Sequence, residues 1–312
     1  MKNLLRSTTF LAIVSSLLWS TAFAGIKIGL QFQSPLQFGA MRFILAGVMV
    51  LVIYRRWGIY FREVVREWRF ILTIGLIQVV FQYGLFYLGM NLVPGAVGAM
   101  IVGASPLFVA MVAHVTQPDD KMTRMKTLSF LVGVAGIALI SFGRQGVESR
   151  HRLEWVGILL LMLNNMASGY SNVLVSRSKR RLSPIILTSG SLMSGGVILY
   201  IISLFVEGFQ PGPFPLRYYI ALTWLGFLSA AAFSIWYGLL KRPGVKVSEL
   251  NVWKFLIPVS GAGLSWLLVA GEKPDWASLT GMFIIVLSLV LMNRSSLIRL
   301  MKGNSVGKLA SI

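Results

Sequence analysis

Two side chains in this sequence carry a full charge inside long apolar runs. Lys254 sits in WKFLIP, one turn before Pro258, and Arg42 lies seven residues after Pro35 in PLQFGAMRF, roughly 10 Å along a helix axis. A cation in such surroundings is costly unless something anionic or polar meets it. Lys254 offers a point charge to an anionic group, and Arg42 offers a planar fork suited to a carboxylate or phosphate. Each also has a plain structural reading. Lys254 can snorkel to a headgroup region, and Arg42 can snorkel or hold a backbone carbonyl.

Neutral polar groups recur in other apolar runs. Gln78 and Gln82 fall at i and i+4 with Tyr83 beside them, so two amides share one helix face, free either to bind a polar ligand or to join neighbouring helices. Ser16, Ser20, Phe23 and Lys27 follow the same periodicity, and a shift of 149 residues lays them on Asn165, Gly169, Asn172 and Ser176. Such a face either lines a cavity or packs closely against another helix. Trp19, Trp236 and Trp253 are candidates for an apolar lining or for interfacial anchors. Ser105 and Pro106 mark a helix irregularity, and Pro106 and Pro258 are expected hinge or packing points.

Other chemistries are poorly served. There is no cysteine and there are two histidines, so no metal site of recognisable spacing is expected, and no P-loop pattern or other cofactor motif is present. No Asp or Glu lies in the middle of an apolar run; Glu249 comes nearest and can pair with Lys246 at the surface. The one enzymatic pattern is His114 and Asp119 at H-x-x-x-x-D spacing, which resembles the base and orienting acid of glycerolipid acyltransferases without that family's glycine-rich and arginine motifs.

Composition places these residues in a membrane. The chain is 56% hydrophobic and 12% charged, with a mean hydropathy of +0.75, which leaves too little polar surface for a soluble globule. Ten apolar stretches, near 9–30, 35–54, 70–92, 95–116, 127–143, 155–176, 184–206, 218–240, 247–270 and 276–293, approach the length that spans about 30 Å of hydrocarbon. Of 29 Lys and Arg, 21 fall on the side of the termini and six, Lys27, Arg144, Arg150, Arg152, Arg217 and Lys273, on the other; the remaining two are Arg42 and Lys254. The positive-inside rule therefore predicts cytoplasmic N- and C-termini, and the net charge of +19 anchors topology rather than a nucleic acid. LLWSTAFAG, behind Lys2 and Arg6, has the A-x-A spacing of a cleaved signal, yet removing it would leave nine spans; it is expected to be the first helix.

The halves repeat. A shift of 152 pairs Pro106 with Pro258, Ala110 with Ala262, Asp120 with Glu272 and Lys121 with Lys273, while a shift of 149 pairs Ser34-Pro35 with Ser183-Pro184. Five spans per unit is an odd number, so the second unit enters from the opposite face. The expected fold is an all-α integral membrane protein of ten transmembrane helices in two inverted five-helix repeats, 1–146 and 147–296, with a cytoplasmic tail at 297–312. A site is expected between the repeats at mid-depth.

LLWSTAFAGIKIGL with SPLQFGAMRFILAG, then VPGAVGAMIVGASPLFVAMVAH, and FLIPVSGAGLSWLLVAGEKPDWASLTGMFIIVLSLVLM in the second half, resemble the EamA family of the drug/metabolite transporter superfamily. The resemblance covers nearly the whole chain. It implies a carrier of small metabolites in the cell (inner) membrane, often an exporter of amino acids or related compounds. The Gly-Glu pair that usually closes helix four of a repeat is kept as Gly271-Glu272 in the second repeat, but the first reads PDD. In the phosphate-translocating branch of the superfamily, basic residues on the helix that corresponds to the one carrying Lys254 are implied to hold the anion. The expectation is a secondary transporter, not an enzyme, acting as a monomer or homodimer in the bilayer on an amino acid or related organic anion. Lys254, Arg42, Asn165, Asn172, Gln78, Gln82, Tyr83, Ser20, Trp19 and Trp253 are the expected substrate contacts. Broad drug efflux and the acyltransferase reading are the alternatives.

Overall fold

A computed structural model describes residues 7–117, 121–143, 148–245, 247–292 and 294, without the side chains of 148–152, 248, 249 and 252. The expected boundary at 146–147, the tail 297–312, Asp119 and the side chain of Glu249 lie outside the described residues. The described residues form ten helices: α1 (Thr8–Gly29), α2 (Pro35–Tyr54), α3 (Trp57–Leu92), α4 (Gly95–Thr116), α5 (Arg124–Gly143), α6 (Glu148–Arg177), α7 (Pro184–Val206), α8 (Leu216–Leu240), α9 (247–268) and α10 (Trp276–Met292). The first eight have stretches long and apolar enough to cross a membrane; α10, at 17 residues, is shorter, and α9 is broken into pieces.

Several helices are less regular than apolar periodicity predicts, for local reasons. In α1 the hydroxyls of Ser20 and Thr21 bond back to the carbonyls of Leu17 and Leu18, and the helix breaks at Thr21. α3 begins at Trp57 rather than near residue 70, bends at Glu67, and runs as a π-helix over Gly75–Tyr83. α4 is interrupted at Ala104, just before Pro106, which has no N–H to donate. α9 consists of Val247–Asn251, a 3-10 turn Val252–Phe255 and Leu256–Leu268, so Lys254 lies in the turn and not inside a continuous helix.

The contacts repeat with a period of five helices. α1 packs on α8 and α9 as α6 packs on α3 and α4, and α2 meets α8 as α7 meets α3. The remaining main pairs, α2 with α7, α4 with α9 and α5 with α10, join equivalent helices of the two units. Backbones approach closely at these seams. A methyl on Gly281 would stand 2.7 Å from the Gly136 carbonyl oxygen across α5 and α10, and one on Gly103 would stand 2.2 Å from Cδ of Pro258 across α4 and α9.

The starts of α2 and α4 are capped by acids of the opposite unit. Glu272 accepts from the Gly95 and Ala96 amides at the start of α4 (2.6 and 3.0 Å), and Glu207 accepts from Leu36 and Gln37 at the start of α2 (2.9 and 3.0 Å). Basic side chains serve C-terminal ends: Lys27 donates to the Met90 and Val93 carbonyls, and Arg177 to that of Thr116. Lys241 donates to Arg180 and Leu182; burial lowers its pKa, while nearby Glu67 and Glu63 act to raise it.

The Gly103 seam predicts a contrast. Gly103→Ala drives Cβ into Pro258 and lowers stability by about 1–3 kcal/mol. Gly263→Ala meets nothing within 4 Å and leaves stability unchanged or raises it by about 0.5–1 kcal/mol. Thermal unfolding of the two variants in detergent measures the difference.

Candidate functional site

The breaks in α4 and α9 face each other, and a cavity lies beside them. Its walls come from both units: Trp19, Ala22 and Phe23 of α1, Arg42 of α2, Gln78, Gln82, Tyr83 and Phe86 of α3, Val102 and Ser105 of α4, and Asn164, Asn165, Ser168 and Asn172 of α6, closed by Phe233 and Trp236 of α8 and Lys254 and Ile257 of α9. Measured at water centres the space is about 60 Å³, enough for a few waters.

Its two cations are held differently. Arg42 is 1% exposed, donates from Nε to Ser229 Oγ (2.7 Å) and from Nη1 to Tyr87 OH (3.1 Å), and lies 5.1 and 5.7 Å from the ring centres of Phe43 and Tyr83. Lys254 is 6% exposed; its Nζ lies 4.7 Å from the ring centre of Trp236 and 5.1 Å from that of Trp19. Among the described residues no carboxylate or hydrogen-bond acceptor reaches that ammonium. Ring quadrupoles stabilise a desolvated ammonium by only about 2 kcal/mol, so they offset part of the cost of burying it. Neither cation snorkels.

The amides form two ordered sets. Asn165 Nδ2 donates to the Ile101 carbonyl (2.7 Å) beside the α4 break, which turns its Oδ1 to Asn164 Nδ2 (3.1 Å). Asn164 Oδ1 is thereby left as a free acceptor, buried and without a partner. Asn172 Oδ1 accepts from Trp236 Nε1 (3.2 Å), while its Nδ2 lies 3.5 Å from Asn251 Oδ1. Gln78 Oε1 accepts from Ser171 Oγ (2.6 Å) and from Tyr237 OH. Trp19 Nε1 and Gln82 Oε1 are also buried without partners. Five buried side-chain atoms lack a partner among the described residues, and the three on Trp19, Gln82 and Asn164 belong to cavity-lining side chains. Unpaired polar atoms cost about 1–3 kcal/mol each unless water or a ligand reaches them.

The cavity thus gathers Lys254, Arg42, Asn165, Asn172, Gln78, Gln82, Tyr83 and Trp19. Two expected contacts lie elsewhere. Ser20 Oγ is turned back onto the Leu17 carbonyl, because a serine hydroxyl reaches its own preceding turn more easily than a neighbour, and Trp253 is directed to Phe255 by the 3-10 turn. Pro258 packs on Gly103 where α4 and α9 cross, and Pro106 lies buried just after the α4 break. Asn164, Ser168, Phe86 and Phe233 were not singled out by the sequence; the Asn164-Asn165 pair inside an apolar span was the available signal. Glu272, in the Gly-Glu pair that closes a helix of the second repeat, ties Ser265 (2.8 Å) and the start of α4 together.

An integral membrane fold of ten helices in two units, with a polar cavity between them, is the architecture of a carrier. The EamA-like transporter family model matches residues 6–142 and 155–294, and the chain belongs to that family. It is similar to the uncharacterized transporter YvbV of Bacillus subtilis, at 24% identity over 95% of both chains. It is also similar to the uncharacterized inner membrane transporter YedA of Escherichia coli, at 23% identity over 89% of this chain and 88% of that protein. One crystal structure shares the fold with a TM-score of 0.68 at 19% identity, covering 92% of this chain and 96% of the other. The protein is therefore a multi-pass membrane transporter and not an enzyme. His114 accordingly has a local role: its Nδ1 accepts from the Met122 amide (3.0 Å).

The two asparagines should separate stability from function. Asn165→Ala removes one of two donors to the Ile101 carbonyl, which keeps the Ala104 amide (3.1 Å), and costs about 0.6 kcal/mol in the membrane. Asn164→Ala removes the unused Oδ1 acceptor together with the donor to Asn165 Oδ1, so it costs a similar amount, about 0.6 kcal/mol, while impairing transport more than Asn165→Ala does. Unfolding in bicelles and uptake by reconstituted protein, measured on both variants, test the split.

Proposed function

We propose that the chain moves a small metabolite with an anionic group, an amino acid or related organic acid, by alternating access between unit 1–146 and unit 147–296. The observation that carries this reading is the unpaired Lys254 ammonium between Trp19 and Trp236. The free donor at Trp19 Nε1 supports a carboxylate near Lys254, and the free acceptor at Asn164 Oδ1 supports a donor such as an ammonium at the other end. Phe23, Phe86 and Phe233 supply apolar surface for a side chain. The small volume supports a contracted arrangement, from which α4 and α9 part about their breaks to admit substrate. Export, cytoplasmic termini and residence in the cell membrane complete the proposal; the 21 basic residues on the side of the termini support the orientation.

Drug efflux is the weaker alternative. The aromatic walls suit it, but a cationic drug would meet Lys254 and Arg42 with no carboxylate among the described lining residues.

Counterflow of pooled labelled amino acids and organic acids into proteoliposomes tests the proposal. Wild-type protein accumulates a zwitterion or anion, and folded Lys254→Ala loses at least tenfold of that rate. Arg42→Lys, which abolishes the fork to Ser229 and Tyr87, lowers the rate less. Unchanged uptake in Lys254→Ala overturns the assignment of the ammonium, and accumulation of cationic compounds alone supports efflux.

A further inference from the structure

The beginning of α3 does not fit inside a bilayer. Its 36 residues would extend about 54 Å, against roughly 30 Å of hydrocarbon. The bend at Glu67 (φ −113°, ψ 18°) falls near the end of the leading stretch, residues 57–69, with Trp68 and Arg69 just past it, ahead of the residues that carry Gln78 and Gln82 into the cavity. This leading stretch follows the Tyr54–Arg56 turn, where Arg55 is left-handed (φ 55°).

The stretch has three faces. Tyr60, Glu63 and Glu67 face the protein: Tyr60 OH and Ser189 Oγ lie 3.0 Å apart, Glu63 accepts from the Ser183 amide (3.3 Å), and Glu67 accepts from Arg180 (2.7 Å). Trp57, Phe61, Val65 and Trp68, at i, i+4, i+8 and i+11, form an apolar stripe whose members are 53–72% exposed. Arg62, Arg66 and Arg69, at i, i+4 and i+7, run along its edge and are also exposed. Both acids of the stretch are thus engaged by the protein or by Arg66, which lies 3.5 Å from Glu67. Among the described residues no carboxylate pairs with Arg62 or Arg69.

We propose that residues 57–69 form a docking surface for anionic phospholipid, lying in the membrane plane with the stripe among acyl chains and the arginines on headgroup phosphates. An exposed tryptophan-bearing stripe beside a row of cations matches a negatively charged interface in both polarity and charge. A free phosphate would satisfy the arginines but leave the stripe in water. Lys179 and Arg181, exposed in the α6–α7 connection whose Ser183 amide Glu63 holds, extend the cationic edge.

The test uses the full chain in mixed micelles containing phosphatidylglycerol or phosphatidylcholine, with retained lipid counted by native mass spectrometry. Wild-type protein retains phosphatidylglycerol preferentially, and less of it at high salt. Each removed arginine lowers this retention about fivefold. Arg62→Gln with Arg69→Gln, which leaves the Arg66 contacts intact, lowers it about 25-fold; adding Arg66→Gln brings the loss to about a hundredfold. Trp57→Ser with Trp68→Ser lowers retention of both lipids. Equal retention of the two lipids by wild type, an unchanged preference in the double arginine variant, or displacement of phosphatidylglycerol by millimolar inorganic phosphate would overturn the proposal.

Discussion

A helix that breaks inside hydrocarbon must find partners for the amides and carbonyls it releases, because no water is there to take them. α4 and α9 both break, at Ala104 and at Val252–Phe255, and each does so against the other. The rest of the bundle answers that requirement. Asn165 joins the Ala104 amide on the Ile101 carbonyl, Asn251 turns back onto that of Val247, and away from the breaks Glu272 takes the first two amides of α4. Of these, Asn165 also lines the cavity, so a group that serves the α4 break helps to make the cavity polar.

The arrangement also explains how the basic side chains divide. The Lys27 and Arg177 side chains reach helix C-terminal ends, where a cation meets both free carbonyls and the negative end of the helix dipole, and Lys241 holds the carbonyls of the α6–α7 connection. Arg42 is tied to two hydroxyls and two rings and resembles a fixed strut of the cavity wall. Lys254 has only aromatic faces among the described residues, so its charge is the least compensated in the site. A buried cation in that condition gains more from an incoming anion than one already bonded.

The tight seams limit which motions are available. Gly136 against Gly281 leaves no room for a side chain between α5 and α10, and that pair joins the two units away from the cavity. α4 and α9 are jointed, while α5 and α10 are continuous.

Much of the architecture was legible without coordinates. Hydropathy located ten helices because a span must be apolar over its whole length, and the paired prolines at 106 and 258 exposed the repeat because proline marks a break wherever it falls. Lys254, Arg42 and the glutamines stood out because charge and amide are rare at that depth. Rotation about the helix axis was not legible. Ser20 follows the helical periodicity that pointed to a lining, yet its hydroxyl bonds to its own turn; Trp253, next to Lys254, is turned away by a 3-10 stretch that composition does not reveal. Nor could sequence distinguish Asn164 from Asn165, since which amide is spent on backbone and which is left free depends on where the Ile101 carbonyl arrives from a helix some sixty residues away. Apolar length and rare polar residues are properties of the chain alone, whereas the partner of a hydrogen bond is a property of the packing, and only the tertiary structure brings the two ends together.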